Sequence, residues 1–539
     1  MWKPPERIRH LSSRGLTPSR DLAQQSLLFS PLCHGPLTLH HRTWVPAMVP
    51  WRSNEEGELT DEVLEWYARF AQGRPGAIVV EATGIRDIPS GPLLRIGDDR
   101  YVDGLSRLSR AVHTASGGHT RLFIQLIDFL RIRRRPEPRV FFERHLALTP
   151  ALLARAGLEQ LPEAQARQAL FAAGPENWRI WLGAADWESL QFGARERVND
   201  LHLPHIRQLP AELPGLFAAA GKRAKDAGFD GVELHYAHAY TMASFLSATN
   251  TRDDGYGGSR EERARLPLEV YAAVRAATGK DFVVGCRYLA EECIAGGSSL
   301  DDSLWFGRAF ARAGMDFLSL SRGGKFDDAK QPAIGQAAYP YTGQSGYECM
   351  PQQWSDHLGP FGRNRAATRN IRQAIRSDGL STPIVCTGGI HNFAMAEAML
   401  AEGCCDLVGT ARQSLADPDW ALKTWLGRAE EVRTCEYTNY CEGLDQKHKQ
   451  VTCQLWDRKD LNEPGLRLSR DGRRRLVAPR WKPEEELQFE LQSNPQSSLQ
   501  SNPQSNLQSN LQSNLQPDLR PRLPSSAPVA TPTSSPALS

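Results

Sequence analysis

The chain has 539 residues, with 64 Lys plus Arg against 62 Asp plus Glu, 40% hydrophobic and 8% aromatic residues, and 10 cysteines. A formal charge of +2 excludes a general polyanion binder, although a local basic patch is still allowed, and the length leaves room for three or four domains of about 150 residues. No apolar run approaches the roughly 18 residues that span a bilayer, and the unevenly spread cysteines argue for a reducing compartment, so a soluble cytoplasmic protein is expected.

In chain order, residues 1–26 carry Arg7, Arg9, Arg14 and Arg20 among Ser and Pro. A transit peptide would share that composition, but Pro4, Pro5, Glu6 and Asp21 spoil its amphipathic helix, and a disordered leader is predicted. From 27 to 460, short β-type runs alternate with amphipathic helices. Strands are predicted at 43–49, 77–82, 120–127, 231–235, 282–287, 316–320, 384–387 and 407–409. Helices are predicted at 61–69, 102–113, 213–227, 261–277, 299–313, 364–377 and 393–402. Short apolar strands separated by helices suit a parallel sheet buried on both faces. Eight such units predict an α/β fold, a (β/α)₈ TIM barrel with loop insertions. An open doubly wound sheet is the alternative, but no Gly-x-Gly-x-x-Gly turn follows the first strand. Long insertions fall at 131–207 and 321–363. A short extension, 461–482, follows the barrel. Beyond it the unit Leu-Gln-Ser-Asn recurs at Leu491, Leu499, Leu507 and Leu511, and 483–539 reads as a disordered Gln/Asn/Ser/Pro-rich tail.

In a barrel, polar residues at strand C-termini are the functional candidates. Gln125 lies inside an apolar run, His235, His238 and Tyr240 end strand 4, and Arg287 ends strand 5. Gly388 and Gly389 after strand 7, with Arg412 after strand 8, suit a phosphate site made of glycine-freed backbone N–H groups and a guanidinium. The His235-x-x-His238 pair has three readings: a metal site with Glu81 or Asp128 as third ligand, two donors to a substrate oxygen, or two structural histidines.

The stretch from Gly228 to Tyr240 (GFDGVELHYAHAY), followed by Phe245-Leu-Ser, by Asn250 to Ser259 and by Arg263-Ala-Arg265, closely resembles the old yellow enzyme family of FMN-dependent oxidoreductases. Leu28-Phe-Ser-Pro, Glu81-Ala-Thr83, Gln125, Arg287, Thr387 to Ile390, and Arg412 with Leu415 to Pro418 extend the resemblance over roughly 27–457. It implies FMN held by Pro46, Ala47, Met48, Ala82, Gln125, Arg287, Gly388, Gly389, Ala411 and Arg412, with NAD(P)H as reductant. His235 and His238 would then donate to a substrate carbonyl, and Tyr240 would protonate its α-carbon. There are departures. Met48 stands where the family usually has Thr or Cys, Ala239 replaces the glycine before the tyrosine, Asp128 stands where many members have histidine, and Ala411 replaces a glycine.

Cys435, Cys441 and Cys453 lie where larger relatives carry a four-cysteine iron–sulfur site, but Thr438 replaces one ligand, so remnant cysteines are expected and not a cluster. Arg131, Arg133, Arg134, Arg135 and Arg139 read as a solvated loop or as a clamp for the phosphates of NADPH or an acyl carrier. Trp178, Trp181 and Trp187 read as packing of the insertion onto the barrel, with a lid over an apolar substrate as the alternative. The function predicted is NAD(P)H-dependent reduction of the C=C bond of an electrophilic alkene. The alternatives are dehydrogenation of an amine or cyclic ketone, a metal-dependent barrel lyase or hydrolase, and a non-catalytic binding protein. The expected partner is a small-molecule substrate, with neither nucleic acid nor membrane, and self-association is compatible with this reading.

Overall fold

A computed structural model describes residues 7–324, 329, 331–338, 343 and 345–482. The tail from 483 onward lies outside the described residues. Eight parallel strands close into one barrel: β1 (Thr43–Val45), β2 (Ala77–Gly84), β3 (Arg121–Ile127), β4 (Gly231–Tyr236), β5 (Val283–Glu292), β6 (Leu318–Gly323), β7 (Ile384–Thr387) and β8 (Leu407–Gly409), with β8 paired back to β1. Closure removes the open sheet from consideration. Each predicted strand is present, and β5 runs five residues further than expected, from 287 to Glu292. The helices between them are α1 (Asp61–Gln72), α2 (Val102–Ser116), α3 (Leu209–Asp226), α4 (Arg260–Thr278), α5 (Leu300–Ala313), α6 (Arg365–Ser377) and α7 (Phe393–Ala401). Their starts are written locally. Ser259 and Glu262 make a capping box on α4, Ser299 and Asp302 another on α5, and the Thr60 hydroxyl caps α1.

The barrel interior changes character along its axis. Toward the strand N-termini, Trp44, Val79, Phe123, Val283, Phe317, Val385 and Leu407 pack together and fill it. Small residues make room for the large ones: a Cβ on Gly285 would lie 2.4 Å from Phe317, and one on Gly409 would lie 2.2 Å from the Thr387 methyl. Two or four residues further along the same strand faces, alternation brings in Gln125, Glu233, His235, Arg287, Ser319 and Ser321. The core is therefore dry at one end and polar at the other.

Residues 7–26 are ordered, contrary to a disordered leader. Ile8–Arg9 pairs antiparallel with Trp354–Ser355, and His10 N donates to Gln353 O at 2.7 Å. Arg20–Gln24 forms a helical turn capped by Ser19. An exposed strand edge on the second insertion supplies the partner that the sequence alone does not reveal. The 461–482 extension packs on α1 and the segment before it: Arg69 donates to Ala478 O at 3.0 Å, Arg467 donates to Glu65 at 2.7 Å, and Arg52 donates to Leu476 O. No helix among the described residues is long and apolar enough to cross a membrane.

The insertion after β3 contains helices at Pro150–Ala156, Glu163–Ala172, Gly174–Trp181 and Ala184–Phe192, around its own cluster of Phe141, Phe142, Leu170, Trp178 and Leu190. Trp178 belongs to that cluster, Trp181 and Trp187 pack against it, and Trp178 Nε1 donates to Leu170 O at 2.7 Å. The tryptophans thus hold the insertion together internally instead of fastening it to the barrel.

Candidate functional site

The polar end of the barrel gathers the residues singled out from sequence. His235 is the penultimate residue of β4, and the chain turns sharply after Tyr236 because His238 and Ala239 both adopt left-handed backbone, φ +60° and +62°. That turn swings the side chains back over the strand end. The His235 ring centroid lies 5.3 Å from His238 and 5.5 Å from Tyr240, and Phe129 packs edge-on against Tyr240 at 5.3 Å. Ala239 occupies this conformation at a cost of about 1–2 kcal/mol relative to glycine.

Electrostatics keep both imidazoles neutral. Burial pulls the pKa of His235 down to about 3, and the neighbouring Arg287 guanidinium adds to the effect. Burial, Arg287 and His235 hold His238 well below its ordinary value. A neutral imidazole carries a single N–H, so each ring can donate one hydrogen bond. His238 Nε2 meets Ser321 Oγ at 2.7 Å, and the same hydroxyl accepts from Arg287 Nη2 at 3.4 Å.

Two side chains that sequence reading left without a role belong to the same site. Glu233, fully buried two residues before His235, accepts from Gln125 Nε2 at 2.6 Å. Burial pushes its carboxyl up, and Arg287, Gln125 and Ser319 partly offset this. Ser321 is the other. Strand alternation counted from His235 back to Glu233, and from the core residue Phe317 forward to Ser321, would have found both. Gly323 lets a third group approach: a Cβ there would lie 3.2 Å from Cys349 Sγ and 3.6 Å from His238.

The metal reading finds no third ligand. A bulge at Glu81 turns that residue out of register, and its carboxylate meets the α1 hydroxyl of Tyr67, with burial raising its pKa to about 8. Asp128 is held by Arg86 at 2.7 Å. Among the described residues no group of three or more His, Cys, Asp or Glu is arranged for a metal ion. Cys435, Cys441 and Cys453 are unbridged, Cys435 and Cys441 lie within electrostatic reach of Arg412, and burial raises all three, Cys441 to about 12.

The expected cofactor contacts ring the same end of the barrel. Pro46, Ala47 and Met48 follow β1, with Met48 half-buried, and Ala82 sits beside the β2 bulge, in register with Gln125. Gly388 and Gly389 have φ +121° and +74°, and a Cβ on Gly389 would lie 1.9 Å from Pro360 O. Only glycine fits that approach. Arg412, preceded by Ala411, donates to Pro351 O and to Asn439 Oδ1 (2.7 Å) and lies over the Tyr437 ring at 4.5 Å. Glu233 Oε2, His235 Nδ1 and Asn364 Oδ1 are buried without a partner among the described residues. Such atoms are costly unless a polar ligand satisfies them. The glycine cradle, the orphaned atoms and the Gln125 amide fit a polar, planar, phosphate-bearing cofactor such as FMN. Beside Tyr240, a cleft opens between Leu130, Ile132, Val198, Asn199 and Thr249.

The site thus lies at the C-terminal mouth of a closed (β/α)₈ barrel, with two buried neutral histidines and a tyrosine gathered there. Residues 211–431 match the model of the NADH:flavin oxidoreductase / NADH oxidase family. It is 27% identical over 413 residues to an NADH oxidase of Thermoanaerobacter brockii, covering 76% of this chain and 52% of the relative. It is 30% identical over 432 residues to a metal reductase of Desulforamulus reducens, covering 79% and 53%. Histamine dehydrogenase from Rhizobium sp. 4-9 shares the fold, with TM-score 0.55 and 24% identity over 80% of this chain and 52% of that one. The chain spans about half the length of the curated relatives it matches.

Proposed function

We propose that the protein is an FMN-dependent oxidoreductase that takes reducing equivalents from NAD(P)H and reduces an alkene conjugated to a carbonyl. The observation that supports this reading is the convergence of His238 and Tyr240 on His235, with ring centroids 5.3 and 5.5 Å from it, at the mouth of the barrel. Gln125, Ala82, Gly388, Gly389 and Arg412 would hold FMN, which would supply two-electron exchange between nicotinamide and acceptor.

The chain's own residues do the rest. His235 and His238 present N–H groups to the substrate carbonyl oxygen, and as neutral donors they stabilise negative charge building there without surrendering a proton. Burial, reinforced by the neighbouring Arg287, keeps both imidazoles neutral, and the guanidinium adds positive potential at the base of the site. Tyr240 delivers its phenolic proton to the α-carbon as that centre becomes basic. The apolar walls of Leu130, Ile132 and Val198 keep water from competing for that carbon.

The test is the visible spectrum of the purified protein before and after anaerobic NADPH, followed by single turnover with cyclohexenone. A flavin spectrum that bleaches, and reoxidises with the enone, is expected. Tyr240→Phe should slow the enone step at least 10-fold and leave bleaching by NADPH within 3-fold. Equal loss of both steps would remove Tyr240 from its role, and a flavin bleached by amines but not by NAD(P)H would replace reduction with amine dehydrogenation. A colourless protein that FMN does not reconstitute would overturn the reading altogether.

A further inference from the structure

Many arginines among the described residues are matched to an acid. On α6, Arg365 and Arg369 pair with Glu402, and Arg372 and Arg376 pair with Asp406. Arg260 and Arg263 share Asp302, and Arg69 holds Asp419. The segment after β3 departs from this. Residues 131–145 hold six arginines and two glutamates, and Arg131, Arg133 and Arg134 are exposed with no carboxylate on their guanidinium groups among the described residues. Arg133 Nη1 meets His145 Nδ1 at 2.9 Å, and burial, Arg133 and Arg144 lower that imidazole's pKa, so the contact neutralises nothing.

The backbone fixes where this charge lies. Ile132 bridges antiparallel to Arg195, Arg133 N donates to Ala194 O, and Glu196 N donates to Arg131 O. Three residues on, Arg135 N donates to Gln336 O at 2.9 Å, Gly335 N donates to Arg135 O at 2.8 Å, and Arg135 Nη1 donates to Pro332 O. Residues 332–336 belong to the insertion after β6, which stands three strands from β3 around an eight-stranded barrel. A chain that leaves β3 and pairs with the β6 insertion must cross the mouth. Ile132 lines the cleft that reaches Tyr240. Arg134 lies within electrostatic reach of His448, an exposed imidazole stacked on Trp51 at 4.1 Å, which also feels Glu55. Uncompensated guanidinium groups next to a stacked aromatic surface, over a cleft leading to the reactive tyrosine, suit a ligand with a phosphorylated nucleotide at one end and a reacting group at the other.

We propose that Arg131, Arg133 and Arg134 form a phosphate subsite at the barrel mouth for an adenosine that carries a ribose monophosphate in addition to its 5′-phosphate. Two sources have this chemistry: a 2′-phosphorylated nicotinamide dinucleotide and an acyl thioester of coenzyme A, whose monophosphate is on the 3′ position. The choice between them rests on the oxidoreductase reading; the subsite itself does not.

The experiment is calorimetric titration of the full chain with 2′,5′-ADP, 3′,5′-ADP and 5′-AMP at low and high salt, repeated with the Arg133→Ala/Arg134→Ala double variant. Both side chains are exposed and neither pairs with an acid, so the variant should keep the wild-type melting temperature. One bisphosphate should bind at least 10-fold more tightly than 5′-AMP, an advantage that falls with salt and disappears in the variant. A preference for the 2′-phosphate assigns the subsite to the dinucleotide, and a preference for the 3′-phosphate assigns it to the thioester. Equal binding of the three probes, no binding, or an advantage that survives in the variant would overturn the proposal. A missing flavin spectrum would instead overturn the oxidoreductase reading, and the titrations would stand apart from it.

Discussion

The insertion after β3 carries its own apolar cluster, with Phe142, Leu170 and Trp178 all buried, whereas the described part of the insertion after β6 is held by what surrounds it. Around 350–356 the supports come from three places: the Ile8–Arg9 strand on one edge, Arg412 donating to Pro351 O, and Asn439 Nδ2 donating to Met350 O at 2.9 Å. A loop with enough large apolar residues folds as a small unit of its own, and one without them takes its shape from its neighbours. The first arrangement gives a rigid wall beside Tyr240. The second ties the segment next to Cys349 and His238 to the N-terminus and to the cysteine-bearing loop, so distant changes should be felt at the site.

The strongest way to break the contrast is inside the first insertion. Phe142→Ala removes a fully buried ring, and the loss should be about 3–5 kcal/mol. Hydrogen exchange should rise across 138–192 while β4 and β5 stay protected, because the cluster is separate from the barrel core; uniform loss of protection would show that it is not. Asn439→Ala attacks the borrowed supports. It removes two hydrogen bonds and places alanine at φ +57°, so a cost of about 1–2 kcal/mol is expected, read as faster exchange at 350–353 with the first insertion unchanged. Between the insertions, Ala239→Gly should raise stability by about 0.5–1 kcal/mol, because glycine adopts φ +62° without strain. Urea denaturation checks it, and a lower midpoint would mean that the Ala239 methyl packs usefully against its surroundings.

Much of the molecule was legible before folding. The eight strands and seven helices follow from apolar spacing and from caps such as Ser259 and Ser299, which act within one turn of their own position. The motif from Gly228 to Tyr240 resembles a family whose model matches residues 211–431, and its His238 and Tyr240 both approach His235. What escaped is non-local. Glu233 was in plain view, yet its bond to Gln125 joins residues 108 apart in the chain. Glu81 looked like a strand-end acid, and a bulge sent it to Tyr67. The N-terminal residues looked too polar to order, and they found an edge strand 346 residues away.

Local chemistry in the sequence thus determined the barrel's elements, the identity of the candidate site residues and the close turn at Gly388 and Gly389. Those depend on short-range sterics and periodicity. Tertiary structure alone decided which charges are desolvated and which remain without partners: the neutral histidines, the buried Glu233 and the exposed arginines that cross the mouth. Solvation and Coulomb energies depend on what chain closure brings near a group, and a one-dimensional string does not carry that distance.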